Sequence, residues 1–344
     1  LSMLSKESGA ALPFTIVLYE LVAGRGATMA GTRKIRLAAA AHFAVLAIYL
    51  LLRFVVFTHP NPAAQAGYPG SSPANTAAIM AVAFLKYLKL FFIPTGFNVE
   101  YCISRMYSPG DPAVVLSLAL HGGLLAFGFA ALRINRLMAF SVFFYFLHLA
   151  PISNVLPFGA VIAERYAYLP VFGLCLLMPA VFLHGGGPER VAGMNQRVFG
   201  IVILLCMAVF FGLKTVERNR DWSDGRALWG PAVQACPGSS KAQLCYGRWL
   251  IDAGEYGSAL PHLKKAVKID PRHYEAQLAL GAACMHEGDL ECARGAFEHA
   301  LKTHPTNDVR YNLALLDVKT GRLRRAEKLL REILETQPRF TPAR

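Results

Sequence analysis

The chain has 344 residues, of which 54% are hydrophobic and 17% are charged, and its formal net charge is +13. A soluble domain usually contains ~25% charged residues. Residues 1–213 contain 14 Lys and Arg and 6 Asp and Glu, whereas residues 214–344 contain 21 and 16. This contrast excludes a uniformly soluble protein and predicts an all-α membrane domain over residues 1–213, followed by a soluble domain.

The positive charge does not indicate a nucleic-acid-binding protein. Four basic residues between Arg25 and Arg36 flank apolar runs, as positive-inside topology requires. No basic stripe is interleaved with aromatic residues in the manner of a single-strand binder. We therefore expect membrane lipid, and no nucleic acid, among the partners.

Six apolar segments predict membrane-spanning helices, since a span needs ~20 mostly apolar residues or slightly fewer. A seventh segment, Ala77–Ile93, has Lys86 and Lys89 on one helix face, which is typical of a helix lying in the membrane interface. The alternative is that this segment also crosses. The six predicted spans are Ala10–Ala23, Leu37–Phe57, Ala113–Leu132, Leu137–Ala150, Leu169–Leu183 and Arg197–Leu213.

Loop charges predict the orientation. The basic segment 25–36 should be cytoplasmic and the uncharged loop Thr58–Thr76 outside. With the interfacial segment lying flat, Arg133 and Arg136 fall inside, and the C-terminal domain is extracytoplasmic. The Ala- and Arg-rich composition favours a bacterial inner membrane; in a eukaryote, the membrane would be the endoplasmic reticulum.

The chain begins with Leu1 in an apolar run and shows neither a charged leader region nor a cleavage signal. We interpret it as an N-terminally truncated fragment. The other interpretation is that Met3 is a late start.

The C-terminal third repeats at intervals of 33 or 34 residues, the signature of tetratricopeptide repeats, which are helix–turn–helix units. We predict a linker and capping half-repeat over residues 214–240, three repeats over 241–338 forming an α-solenoid, and a tail over 339–344. Such an array presents a protein-binding surface; the alternative is a structural stalk. The repeating positions are Pro237, Pro271, Pro305 and Pro338; Gly254, Gly288 and Gly321; and Ala259, Ala293 and Ala326.

Within the repeats, the small residues Gly247, Gly281 and Ala314 should let the first helix of each hairpin pack closely on its neighbour. Leu263 and Phe297 occupy the large position of the second helix. In the half-repeat Asp221–Pro237, Trp222 and Trp229 are predicted to cover the exposed apolar end.

The seven cysteines form no CxxC motif and no zinc spacing. Cys284 could face Cys292 across a hairpin, and Cys236 could face Cys245, but unpaired core cysteines are the favoured interpretation.

The ten histidines show no metal-ligand spacing, so the sequence gives no support for a divalent metal and identifies no cofactor. His121 and His148, within apolar helices, are predicted to be hydrogen-bonded core residues.

Two polar clusters adjoin apolar segments, where ionisable residues are costly and usually functional. The first contains Lys6 and Glu7, and basic residues in such places can hold a lipid phosphate. The alternative is that Lys6–Glu7 and Glu164–Arg165 are simple ion pairs. The second cluster, PISNVLPFGAVIAERYAYLP, contains Ser153, Asn154, Glu164, Arg165, Tyr166 and Tyr168.

Three blocks, LSKESGAALPFTIVLYEL, LKYLKLFFIPTGFNVEYCIS and PISNVLPFGAVIAERYAYLP, followed by RNRDWSDGRALW and the repeats, resemble the transmembrane and tetratricopeptide-repeat O-mannosyltransferase family in order and over nearly the whole chain. The resemblance implies a GT-C glycosyltransferase. Such an enzyme transfers a sugar, here mannose, from a polyprenyl- or dolichyl-phosphate donor to Ser or Thr of an acceptor polypeptide held by the repeats.

Residue by residue, the resemblance assigns Lys6 and Arg165 to the donor phosphate. It places Glu7, Glu100, Asn154, Glu164 and Tyr166 in or near the site. The family's catalytic acidic residues lie on a first outer loop that no segment here matches, so the chain as given is expected to be inactive. The competing hypothesis is a non-catalytic membrane scaffold whose repeats recruit an extracytoplasmic partner.

Overall fold

The computed structural model describes residues 11–22, 29–52, 68–102, 107–155, 161–184, 190–191 and 194–338. The chain is all-α, as predicted. Within the described ranges, its β-structure is one antiparallel pair of two-residue strands, Arg190–Val191 and Met194–Asn195. It divides into two compact units. The first comprises Leu1–Phe97 and Ile103–Arg218, and the second comprises Asn98–Cys102 and Asn219–Arg344.

The first unit is built from apolar helices. Short 3₁₀ turns at Ala150–Ile152 and Glu164–Tyr166 lie between the fifth and the sixth helix. The helices are α1 (Leu12–Val22), α2 (Met29–Leu51), α3 (Pro73–Phe92), α4 (Pro112–Ile134), α5 (Arg136–Leu149), α6 (Tyr168–His184) and α7 (Gln196–Asp221).

Glycines allow these helices to approach one another closely. A Cβ on Gly173 of α6 would lie 2.7 Å from the Ser141 carbonyl oxygen of α5, and one on Gly200 of α7 would lie 2.8 Å from the Phe182 carbonyl oxygen of α6. Small residues at such crossings are typical of helices that pack within membranes.

Among the described residues, α3, α4 and α7 are long and apolar enough to cross a membrane. The apolar parts of α1, α2, α5 and α6 are shorter, and the end of the predicted span Leu37–Phe57 lies outside the described residues. Half of the apolar window of α3 is buried inside the unit, against 17% for α4 and 6% for α7. The six-span topology and the interfacial placement of Ala77–Ile93 stay predictions.

The second unit has the predicted tetratricopeptide fold. A single helix, α8 (Gly225–Ala235), precedes the hairpins α9 (Ser240–Asp252) and α10 (Tyr256–Ile269), α11 (Tyr274–Glu287) and α12 (Leu290–Thr303), and α13 (Asn307–Lys319) and α14 (Leu323–Thr336). Gly254, Gly288 and Gly321, between the helices of each hairpin, have φ of 77°, 84° and 75°. Only glycine adopts this left-handed conformation without strain, which explains their spacing.

The predicted small-to-large packing is confirmed. A Cβ on Gly247 would lie 2.7 Å from Leu263 Cδ2, and one on Gly281 would overlap the ring of Phe297. Leu263 and Phe297 are fully buried, as is Ala259.

The predicted capping role of Trp222 stays a prediction. Trp222 is 59% exposed, because it lies at the junction that precedes α8 rather than on the inner face of that helix. Leu228 and Ala232 are the buried residues of α8, and Trp229 is half-buried.

Four cysteines are paired, contrary to the favoured interpretation. Cys284 and Cys292 form a disulfide across the α11–α12 hairpin, with Cα atoms 5.9 Å apart. Cys236 pairs with Cys102 of the Asn98–Cys102 segment, rather than with Cys245. Both disulfides lie within the second unit.

The two predicted core histidines of the first unit are hydrogen-bonded. His121 Nε2 lies 2.9 Å from the Tyr145 hydroxyl, and His148 Nδ1 lies 3.0 Å from the Phe144 carbonyl oxygen.

Candidate functional site

One face of α3 contacts both halves of the polar segment that the sequence singled out. The helix begins where the Ser72 side chain accepts a hydrogen bond from the Asn75 backbone amide (3.2 Å), with Pro73 in the first turn. Met80 and Tyr87 are seven residues, about two turns, apart and therefore share a face. Met80 contacts Asn154, and Tyr87 contacts Ala163.

Asn154 is a buried structural residue. Its side chain is 1% exposed, and its Nδ2 donates to the Met80 sulfur at 3.3 Å. Its backbone has φ of 54°, a conformation that asparagine tolerates better than most residues. Asn154 therefore shapes the loop after α5, and its burial does not suit direct contact with a lipid-linked substrate.

Glu164 is engaged by a residue distant in sequence. Arg218 Nη2 lies 3.3 and 3.4 Å from the two carboxylate oxygens of Glu164. The Arg218 guanidinium also lies 5.8 Å from the centre of the Phe97 ring, within cation–π distance. The alternative of a simple Glu164–Arg165 pair is therefore not what the structure shows.

Arg165 is exposed and turns toward its neighbour Tyr166. Its Nη2 donates to the Tyr166 hydroxyl at 3.2 Å, and its guanidinium lies 4.8 Å from the centre of the same ring. Tyr166 is half-buried and packs against the cluster around Tyr87 and Leu174. The arrangement presents a planar cation on a supported aromatic surface, which suits an anionic group such as a phosphate.

Glu100 has its hydrogen-bond partners in the second unit. It belongs to the second unit, where its carboxylate lies 2.8 Å from Lys241 Nζ and accepts from the Ser239 hydroxyl at 3.5 Å. Asn154, Glu164, Arg165 and Tyr166 all belong to the first unit. Lys6 and Glu7 lie outside the described residues.

Sequence reasoning missed Tyr87 and Arg218 as parts of this arrangement. Arg218 is the first residue of the RNRDW segment that carried the resemblance, and it lies in the polar last part of α7, after Lys214 and Glu217. Its place in that segment is a signal that could have been noted. Tyr87 gave no signal, because a tyrosine in an apolar helix is most often a core residue.

Within the described part of the chain, no three His, Cys, Asp or Glu side chains come together in a way that could hold a metal ion.

Known proteins resemble parts of the chain. Residues 250–309 match the tetratricopeptide repeat family. Protein O-mannosyl-transferase TMTC1 of Mus musculus is 34% identical over 137 residues, which cover 38% of this chain and 14% of that protein. Protein O-mannosyl-transferase F38B6.6 of Caenorhabditis elegans is 27% identical over 199 residues, which cover 55% of this chain and 27% of that protein.

Among solved structures, the crystal structure of MamA is 24% identical to this chain. The match covers 37% of this chain and 76% of the MamA chain, with a TM-score of 0.35.

The chain spans only about a seventh to a quarter of the length of the two protein O-mannosyl-transferases described above. Over part of its length, the chain is a homologue, at moderate identity, of the TMTC-type protein O-mannosyltransferases with tetratricopeptide repeats.

Proposed function

We propose that this chain is part of a membrane glycosyltransferase. It would transfer a sugar, mannose by likeness, from a polyprenyl- or dolichyl-phosphate donor to Ser or Thr hydroxyls of a polypeptide held by the repeats. The observation that carries the proposal is the joint occurrence, in one chain, of apolar helices, a repeat array and similarity to proteins named protein O-mannosyl-transferases.

Arg165 is the residue that we propose for the donor phosphate. It is exposed, it lies on a short turn packed against α3, and its guanidinium can donate two parallel hydrogen bonds to a phosphate. When the sugar is transferred, the departing polyprenyl phosphate keeps the negative charge, so a fixed cation at that position would stabilise the leaving group.

Glu164 is not our choice for the base that removes the acceptor hydroxyl's proton. Both of its oxygens lie within 3.4 Å of Arg218 Nη2, so this carboxylate is already engaged in an ion pair inside the first unit. We propose a structural role for Glu164 and assign the base to no described residue.

The disulfides support an extracytoplasmic placement of the repeats, because such bonds persist mainly in oxidising compartments. Cys102 follows α3, and Cys236 follows α8. Between them, the described ranges contain the apolar helices α4, α5, α6 and α7. If all four cross the membrane, both cysteines lie on the same side, as their disulfide requires.

The test is sugar transfer by the protein expressed from its native gene and reconstituted in vesicles. The assay uses polyprenyl-phosphate mannose and a Ser/Thr-rich peptide. We expect Arg165→Ala to reduce transfer by roughly tenfold or more, the size expected for losing a charged contact. Arg136→Ala, at the exposed start of α5, is the matched control and should leave transfer unchanged.

Transfer by Arg165→Ala at the wild-type rate would refute the assignment of this residue. A wild-type protein that transfers no sugar from any polyprenyl-phosphate donor, but binds an extracytoplasmic protein through its repeats, would favour the scaffold hypothesis instead.

A further inference from the structure

The turn that carries Arg165 is held from α3 by a single buried hydroxyl. Tyr87 is 2% exposed, and its hydroxyl donates to the Ala163 carbonyl oxygen at 3.3 Å. The same hydroxyl accepts a hydrogen bond from the Ala163 amide at 3.2 Å. Both backbone groups of the residue that precedes the Glu164–Tyr166 turn are therefore fixed by one side chain.

The next residue of the turn is held from α7. The Arg218 guanidinium lies 3.3 Å from Glu164 Oε1 and 3.4 Å from Oε2, and its side chain is 14% exposed. A charge-assisted contact in such a shielded place is stronger than an exposed ion pair. Residues 163 and 164 are thus fixed by partners that are themselves packed in the first unit.

The turn itself has little internal stability. It is a three-residue 3₁₀ segment, whose internal bonds include Tyr166 N to Ala163 O at 2.9 Å and Ala167 N to Glu164 O at 3.1 Å. Short 3₁₀ segments have poor hydrogen-bond geometry and depend on their surroundings. Since Arg165 is the exposed residue between the two fixed residues and the packed Tyr166, its backbone position depends on these contacts.

We propose that Tyr87 and Arg218 are positioning residues that hold Arg165 where it meets the donor phosphate. This inference rests on the proposed function. Neither residue needs to touch the substrate: Tyr87 acts through the Ala163 backbone, and Arg218 acts through Glu164. A small misplacement of a group that contacts the substrate is costly. The loss of either contact should therefore be detectable as a change in the donor KM.

The first test compares two conservative variants. Tyr87→Phe removes only the hydroxyl and should raise the donor KM about 3- to 10-fold, the range expected for one or two hydrogen bonds. The acceptor KM should not change. Tyr145→Phe is the matched control, because Tyr145 is equally buried in the same unit, but its hydroxyl contacts His121 at 2.9 Å. A donor KM that is unchanged in Tyr87→Phe, or equally raised in Tyr145→Phe, would overturn the proposal.

The second test asks whether Tyr87 acts through Arg165. In an Arg165→Ala background, Tyr87→Phe should raise the donor KM by less than twofold, because the group that it positions is gone. Arg218→Lys keeps the charge but not the planar fork. Like Tyr87→Phe, it should raise the donor KM when Arg165 is present and raise it by less than twofold in the Arg165→Ala background. Additive effects of Tyr87→Phe and Arg165→Ala would show a general structural role and contradict the proposal.

A binding measurement separates this inference from the proposed enzyme activity. Fluorescently labelled polyprenyl phosphate is titrated into the wild-type protein and the variants in vesicles. If wild type transfers no sugar but binds the lipid, and Tyr87→Phe and Arg165→Ala weaken binding non-additively, the positioning role stands while the proposed function fails. If binding is equal in all three proteins, the positioning role fails, whatever the transfer assay shows.

Discussion

Arg294 Nη1 lies 2.9 Å from Asp317 Oδ1, and this ion pair joins α12 of the second repeat to α13 of the third. The Asp317 side chain is fully buried. Arg294 also donates to the Thr320 hydroxyl at 3.1 Å, and Arg325 Nε lies 3.4 Å from the other oxygen of Asp317. A carboxylate taken out of water in this way is tolerated only because cations accompany it.

Replacement of Asp317 by Ala should strongly destabilise the last two repeats. Arg294 would be left buried without its carboxylate, and breaking a buried pair from one side costs about 3–5 kcal/mol. We expect amide hydrogen exchange in α12 and α13 of the full protein to show a loss of opening free energy of this size.

The control is Glu327→Ala, which breaks the exposed Arg331–Glu327 pair (2.6 Å) on α14. An exposed pair one helical turn apart contributes less than about 0.5 kcal/mol, so exchange should hardly change. A similar loss of opening free energy in both variants would show that the buried pair contributes no more to stability than the exposed pair.

Gly281→Ala tests the close packing inside the second repeat. The added methyl group would overlap the Phe297 ring, which is fully buried and has little room to move. Overpacking of this kind typically costs about 1–3 kcal/mol. The expected result is faster amide exchange in α11 and α12.

Gly295→Ala is the matched control on α12, since nothing lies within 4 Å of a Cβ at that position. Alanine is a better helix former than glycine by about 1 kcal/mol, so this variant should be stabilised. If both alanines change stability in the same direction, the packing argument for Gly281 is wrong.

These glycines also show why the repeats could be predicted from sequence. A left-handed turn admits glycine and few other residues, and a close helix crossing requires a small residue at a fixed position. Gly254 and Gly288 meet the first requirement, and Gly247 and Gly281 meet the second. Each requirement acts at one position of the repeat, so the same small residue recurs in the sequence at a fixed interval.

The candidate site could be predicted only in part. The sequence singled out Glu164, Arg165 and Tyr166, because charges stood beside apolar segments. It did not provide the partner of Glu164, because Arg218 is 54 residues away and the sequence pattern does not show which distant residues pair. The Cys102–Cys236 disulfide was missed for the same reason, its cysteines being 134 residues apart.

His262 should make the first repeat sensitive to acid. Burial, and secondarily the nearby Lys265, lower the pKa of His262 below its ordinary value of 6.5. Its Nδ1 lies 2.8 Å from Gln243 Oε1. Because the unfolded chain takes up this proton more readily than the folded one, the stabilisation is complete above pH 6.5 and is lost as the pH falls through the lowered native pKa.

The measurement is amide exchange in α9 and α10 between pH 7.5 and 5, corrected for intrinsic exchange rates. Wild type should lose protection as the pH falls, and His262→Gln should lose less. His299→Gln, at an exposed position of α12, should follow wild type. Equal pH dependence in wild type and His262→Gln would contradict the assignment.

The pattern of cysteine pairing predicts a specific result in thiol labelling. Protein purified without reductant, then denatured and alkylated, should be labelled at Cys175, Cys206 and Cys245, the cysteines that are free in the structure. Peptides that contain Cys102 and Cys236, and peptides that contain Cys284 and Cys292, should be recovered as disulfide-linked products by mass spectrometry.

This result bears on the compartment as well as on the fold. A cytoplasmic repeat array would be kept reduced, and all seven cysteines would then be alkylated without reductant. Cys245 is the internal reference, because it belongs to the second unit and has no disulfide partner in the structure. Labelling of Cys245 with full protection of Cys102, Cys236, Cys284 and Cys292 therefore requires an oxidising surrounding for the second unit, and hence an extracytoplasmic array.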